Sequence, residues 1–179
     1  MDRIVVVDTE TTGLSVKNGG RVIEVGAVAI ENGQVVAELA TLINTGTAIS
    51  YGAFRVHGIS ADMLAGRPAP EEVWPWFLEF AGNSRLVSHN ATFDSAFVHH
   101  ELRLLGVAFN NPWYCTLQLA RKKLVHLPNH SLETVCRHLF GELPKGVQRH
   151  RALDDARMAA RVWVELTSAD QCVSRGWRV

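Results

Sequence analysis

Asn32-Gly33 separates two strand-like runs, residues 21–30 and 35–43, and this dipeptide removes most of the architectures otherwise open to the chain. A two-residue Asn-Gly link closes a tight hairpin, because both central positions of the favoured turn need positive φ. The two runs therefore pair antiparallel. Strand and helix patterns then alternate after residue 85. A short apolar strand at 86–88 leads to a helix over 92–105, and a strand at 113–115 leads to helices over 116–124, 132–139 and 151–166. Such alternation builds parallel pairing, so the chain is read as α/β, with a central mixed five-stranded sheet flanked by helices.

The fifth strand is the first in the chain, residues 3–8. Its apolar run reads as buried on both faces. It closes on Asp8-Thr9-Glu10-Thr11-Thr12-Gly13. Residues two apart in a strand share a face, so Asp8 and Glu10 look out together at the strand's carboxyl end. Paired carboxylates repel each other unless a cation lies between them, and hard divalent ions suit all-oxygen donors.

Local patterns fill in the rest. Residues 44–52 read as a loop, and Ser60 caps a short helix with Asp62 in its first turn. A helix over 71–81 contains Pro75, which implies a later start or a kink. In the helix over 92–105, Phe93, Phe97, His100 and Leu104 fall on one stripe, and Gly106 ends it. No internal repeat or linker divides the chain. Residues 1–166 are expected to form one domain and residues 167–179 a C-terminal tail.

Composition sets limits. The 179 residues carry a formal net charge of +0, so overall charge neither favours nor excludes a polyanionic partner. Arg121-Lys122-Lys123 reads as solvated surface, whereas the basic segment 145–151 has no acidic residue and could meet phosphates. Three cysteines, Cys115, Cys136 and Cys172, are odd in number and lack C-x-x-C spacing, which argues against disulfides or zinc. With no 18-residue apolar run and no signal-peptide pattern, a cytoplasmic protein that does not enter membranes is expected.

Two further acidic stretches match the first. Asp94 lies in the first turn of the helix that follows His89-Asn90, and Asp155 lies five residues after His150 at the start of the last helix. Each alone fits ordinary helix-start chemistry. Together the three stretches supply four carboxylates and a histidine at strand ends and helix starts. That inventory suits a two-metal phosphoryl-transfer site with a general base. Asp154, beside Asp155, is expected to face solvent.

The ordered motifs D-x-E-T-T-G, H-N-x-x-F-D and H-x-x-x-x-D resemble those of the DEDDh 3′–5′ exonucleases, with the proofreading subunits of bacterial replicative polymerases as the most similar branch. Ile23-Glu24-Val25-Gly26-Ala27, His57-Gly58-Ile59 and Asn129-His130-Ser131-Leu132 extend the likeness over nearly the whole chain. The resemblance implies a ribonuclease H-like fold and two divalent ions, Mg²⁺ or Mn²⁺. It implies Asp8, Glu10, Asp94 and Asp155 as ligands, with Asp8 bridging the ions, and His150 as the base. It further implies Thr11, Gly13, Leu14, His57, Asn90 and Phe93 as substrate-binding residues, with Leu14 wedged against terminal bases. The partner implied is a single-stranded DNA 3′ end, with a DNA polymerase as a possible second partner. Two other readings stand beside this one. An RNA 3′-end trimming enzyme would share every motif. A non-catalytic module docked on a polymerase would be expected to lack a ligand or the base, and all five are present. No G-x-x-x-x-G-K-[ST] loop suggests a nucleotide hydrolase.

Overall fold

The computed structural model describes residues 3–143 and 150–174, with side chains to residue 168. Five strands form one sheet: β1 (Ile4–Thr11), β2 (Val22–Glu31), β3 (Gln34–Leu42), β4 (Arg85–Ser88) and β5 (Trp113–Cys115). Their order is β3-β2-β1-β4-β5. β2 is antiparallel to β1 and β3, while β4 is parallel to β1 and β5 to β4. This is the mixed, ribonuclease H-like sheet expected. The hairpin turn carries Asn32 at φ 54° and Gly33 at φ 77°, the left-handed pair that a two-residue link requires.

Alternation along the strands divides the core in two. Val5, Val7, Val25 and Ala27 face helices α3 (Pro70–Ala81) and α4 (Ala91–Leu104), where Trp74, Phe77, Phe97 and Leu102 are buried. Val6, Val28 and Val87 face α7 (Ala152–Ser174), which offers Ala156, Ala159 and Ala160. Small side chains let that helix lie close to the sheet. Helices α5 (Thr116–Lys123) and α6 (Leu132–Phe140) pack on α7 through Ala120, Val135, Met158 and Val162. Because β1, β4 and β5 run in one direction, their carboxyl ends share one rim, and the helices that follow β4 and β5 start there.

Several sequence expectations are revised. Residues 44–52 are not all loop, since Tyr51–His57 forms helix α1. Ser50 caps it by accepting from the Ala53 N–H, and Gly58, at φ 70°, ends it. Only His57 of this helix is buried, so no apolar stripe announced it. The short helix capped by Ser60 follows as α2 (Ala61–Leu64). α3 begins at Pro70 and continues through Pro75. β1 runs beyond Asp8 to Thr11, with a bulge between Glu10 and Thr11.

The buried stripe of α4 is Asp94, Phe97, Val98, Glu101 and Leu102, while Leu104 is 54% exposed. The inward face is turned because Glu101 goes inside. Its carboxylate accepts 2.8 Å bonds from Arg21 Nε and from one terminal guanidinium nitrogen, Nη2, and a 2.9 Å bond from the Val22 N–H. α7 continues past Leu166 to Ser174, so part of the segment read as a tail is helix. Most of the basic segment 145–151 lies outside the described residues. Cys115 and Cys136 are free thiols, and the side chain of Cys172 lies outside the described set. No helix among the described residues is long and apolar enough to cross a membrane.

Candidate active site

The rim at the end of β1 gathers acidic side chains from both faces of the sheet. Asp8 and Glu10 point to the α7 face, where the first turn of α7 brings Asp155. Thr9 points to the opposite face and donates from its hydroxyl to Asp94 Oδ1 at 2.9 Å, holding the first turn of α4 against the strand. Asp94 is 3% exposed and Glu10 9%. Glu10, His150 and Asp155 each offer a ligand atom, and these atoms all lie within 4.8 Å of one another.

Electrostatics records this crowding. Burial, followed by the charges of Asp94, Asp155, Glu10 and Glu24, raises the Asp8 carboxyl well above the usual carboxylate range. Burial, then Asp155, Glu24 and Asp94, pushes Glu10 up to about 8, with Arg151 opposing. Burial raises Asp94 to about 7 against the hydrogen bond from Thr9. Shifts of this sign mean that burial and like charge outweigh the positive charge that the described residues bring to Asp8, Glu10 and Asp94. Arg151, the cation felt at Glu10, is itself bound to Glu24, with Nε to Oε1 at 3.0 Å and the terminal nitrogen to Oε1 at 2.7 Å. Crowded carboxylate oxygens fit divalent ions.

The start of α7 presents two of the residues singled out in the sequence, His150 and Asp155. His150 has φ 57°, a left-handed conformation that costs a non-glycine residue energy and persists only where neighbours fix it. Its N–H donates to Asp155 Oδ2 at 3.1 Å, and the Asp155 N–H donates to the Arg151 carbonyl at 3.0 Å. Asp154, expected to face solvent, is instead half-buried and accepts from Arg157 at 3.0 Å, while Arg157 also grips Glu38 on β3. Asp155 is thus the residue of the pair that faces the cluster.

The remaining residues named from the sequence separate into two groups. Thr11 donates from its hydroxyl to the Gly13 carbonyl at 2.8 Å, shaping the turn that leaves Leu14 88% exposed. His57 Nε2 donates to the Thr11 carbonyl at 3.2 Å, and its Nδ1 accepts from the Ile59 N–H at 2.9 Å. This ring is a neutral pin between α1 and β1, and burial lowers its pKa. Asn90 is exposed at φ 79° and stands at the N-cap position of α4 without a side-chain bond to the helix. Phe93 is half-buried, 4.9 Å from the Phe97 ring.

The exonuclease family model, RNase_T, matches residues 5–163. The chain belongs to this exonuclease family. Its identity to the epsilon subunit of DNA polymerase III from Aquifex aeolicus is 37% over 163 residues, covering 90% of this chain and 79% of that subunit. It is 39% identical over 161 residues to the PolC-type DNA polymerase III of Clostridium perfringens, covering 90% of this chain but only 11% of that polymerase. Among solved structures, exonuclease X in complex with 5′ overhanging duplex DNA superposes with a TM-score of 0.75 at 27% identity, covering 98% of this chain and 94% of the other.

The sequence alone assigns no role to two residues that support this site. Thr9 fastens Asp94, and Glu24 fastens the residue beside His150. A charged residue inside the otherwise apolar run of β2 was the available signal for Glu24.

Proposed function

We propose that this chain is a metal-dependent 3′–5′ exonuclease that removes nucleotides from single-stranded DNA ends, in the manner of a proofreading or repair enzyme. The observation that carries the reading is the meeting of Glu10, His150 and Asp155 within 4.8 Å beside two further raised carboxylates, Asp8 and Asp94.

Asp8, Glu10, Asp94 and Asp155 would hold two divalent ions, Mg²⁺ or Mn²⁺. Ions there would stabilise charge developing on the phosphate and acidify the attacking water. His150 takes the proton from that water through its ring nitrogen, close to Glu10 and Asp155. Attack at phosphorus breaks the bond to the 3′ oxygen of the preceding nucleotide, releasing a nucleoside 5′-monophosphate and a shortened strand. Leu14 presses on the terminal bases, Phe93 and Asn90 line the cleft, and Thr11, Gly13 and His57 hold the turn that carries Leu14. Exposed apolar side chains beside a phosphate site suit a strand whose bases are unpaired. The likeness to polymerase III subunits supports a DNA polymerase as partner.

The test is product analysis on matched DNA and RNA oligonucleotides with Mg²⁺ or Mn²⁺. Nucleoside 5′-monophosphates released from DNA support the proposal. Release from RNA alone would move the chain to RNA 3′-end trimming, and tight binding without release would make it a non-catalytic module.

A further inference from the structure

The ladder between β1 and β2 sets Glu24 directly opposite Glu10 and Gly26 directly opposite Asp8. All four share one face of the sheet, and it is the face that receives α7. Directly opposed like charges on a sheet are destabilising, so a carboxylate at Glu24, 4% exposed, needs a reason to be there.

Its contacts supply one. Glu24 accepts from Arg151 through both oxygens, and its Oε2 also accepts from the Ala152 N–H at 3.0 Å. It therefore caps the first turn of α7 and grips the residue between His150 and that helix. Gly26 completes the seat. A Cβ there would stand 2.3 Å from the Ala152 carbonyl carbon and the Leu153 nitrogen, so only glycine lets the α7 backbone lie this close over β2. The same Glu24 charge raises Asp8 and Glu10, so the carboxylate stands within electrostatic reach of the cluster without belonging to it.

We propose that the Glu24–Arg151 pair, seated over Gly26, fixes where His150 and Asp155 stand against Asp8 and Glu10, and holds Glu24 itself out of the ion-binding set. The proposal rests on the exonuclease reading above. Glu24 and Arg151 are positioning residues. Losing Arg151 has two consequences: the left-handed turn at His150 loosens, and a fifth carboxylate is released beside Glu10. Partners that orient ligands in this way are typically worth about 10–100-fold in activity.

The test compares the full chain with Arg151→Gln, Glu24→Gln and the double variant. It reads kcat and KM on 5′-labelled single-stranded DNA, Mn²⁺ affinity without nucleic acid by electron paramagnetic resonance, and the melting temperature. Arg151→Gln should lower kcat about tenfold or more with little change in KM. Relative to Arg151→Gln, the double variant should bind Mn²⁺ more weakly and cleave faster, because the released carboxylate is gone. A merely structural contact would move both readouts only with the folded fraction. Wild-type kcat in Arg151→Gln, or a double variant that matches Arg151→Gln in both affinity and rate, would overturn the proposal. If the wild type cleaves nothing, the exonuclease reading fails separately, and the Mn²⁺ comparison still decides: equal affinities in Arg151→Gln and the double variant overturn the positioning role.

Discussion

The His150 N–H donates to Asp155 Oδ2 at 3.1 Å, so the proposed base and a proposed ion ligand are locked together by the backbone of one helix start. An amide at position 155 can still accept that bond. Asp155→Asn is therefore expected to fold normally yet lower cleavage at least about a hundredfold, because it removes charge where the reaction needs it. Circular dichroism and single-turnover cleavage check the two halves of this expectation.

Stability without metal should depend on pH in a defined direction. The unfolded chain has released the Glu10 and Asp94 protons by about pH 5. The folded chain keeps them until the pH passes about 7 for Asp94 and about 8 for Glu10. In that window the native state binds more protons, so stability falls as pH rises. The melting temperature in chelator is expected to drop from pH 5 to pH 8, and divalent salt should raise it most at pH 8. A melting temperature that climbs over this range in chelator would contradict the crowded-carboxylate picture.

Arg21 and Glu101 form a separate ion pair at 2.8 Å, with the Glu101 side chain 0% exposed. Breaking one side strands a buried charge. Arg21→Ala should cost about 3–5 kcal/mol in urea unfolding, and an apolar replacement of both partners should recover much of it.

Leu14 touches solvent over 88% of its surface, so its apolar side chain contributes little to folding. Leu14→Ser should leave the melting temperature unchanged and raise KM for single-stranded DNA severalfold. A loss of stability with unchanged KM would remove Leu14 from the cleft.

What was legible in the sequence follows physical lines. Asn32-Gly33 announced the hairpin because its backbone demand is local, and Asp8 with Glu10 announced the rim because strand period alone puts them on one face. Helix α1 stayed hidden because Tyr51, Phe54 and Val56 are exposed, leaving no periodic signal for a core face. The stripe of α4 is not legible locally, because Glu101 reads as surface and its partner Arg21 lies 80 residues away. Glu24 was legible as part of a motif, but its partner Arg151 is 127 residues distant, and local pattern does not reach that far. The basic segment ending at Arg151 read as a phosphate contact, yet its last residue serves the carboxylate behind the site.

In the proposed reaction the four carboxylates form one ion-dependent site that shortens strands from the 3′ end. The most direct test is a 5′-labelled single-stranded DNA oligonucleotide, followed over time with divalent metal, with chelator, and with Asp8→Asn. A ladder shortening steadily from the 3′ end with metal, and an intact strand in both controls, is the expected result. Cleavage that persists in chelator or in Asp8→Asn, or that starts from the 5′ end, would contradict it.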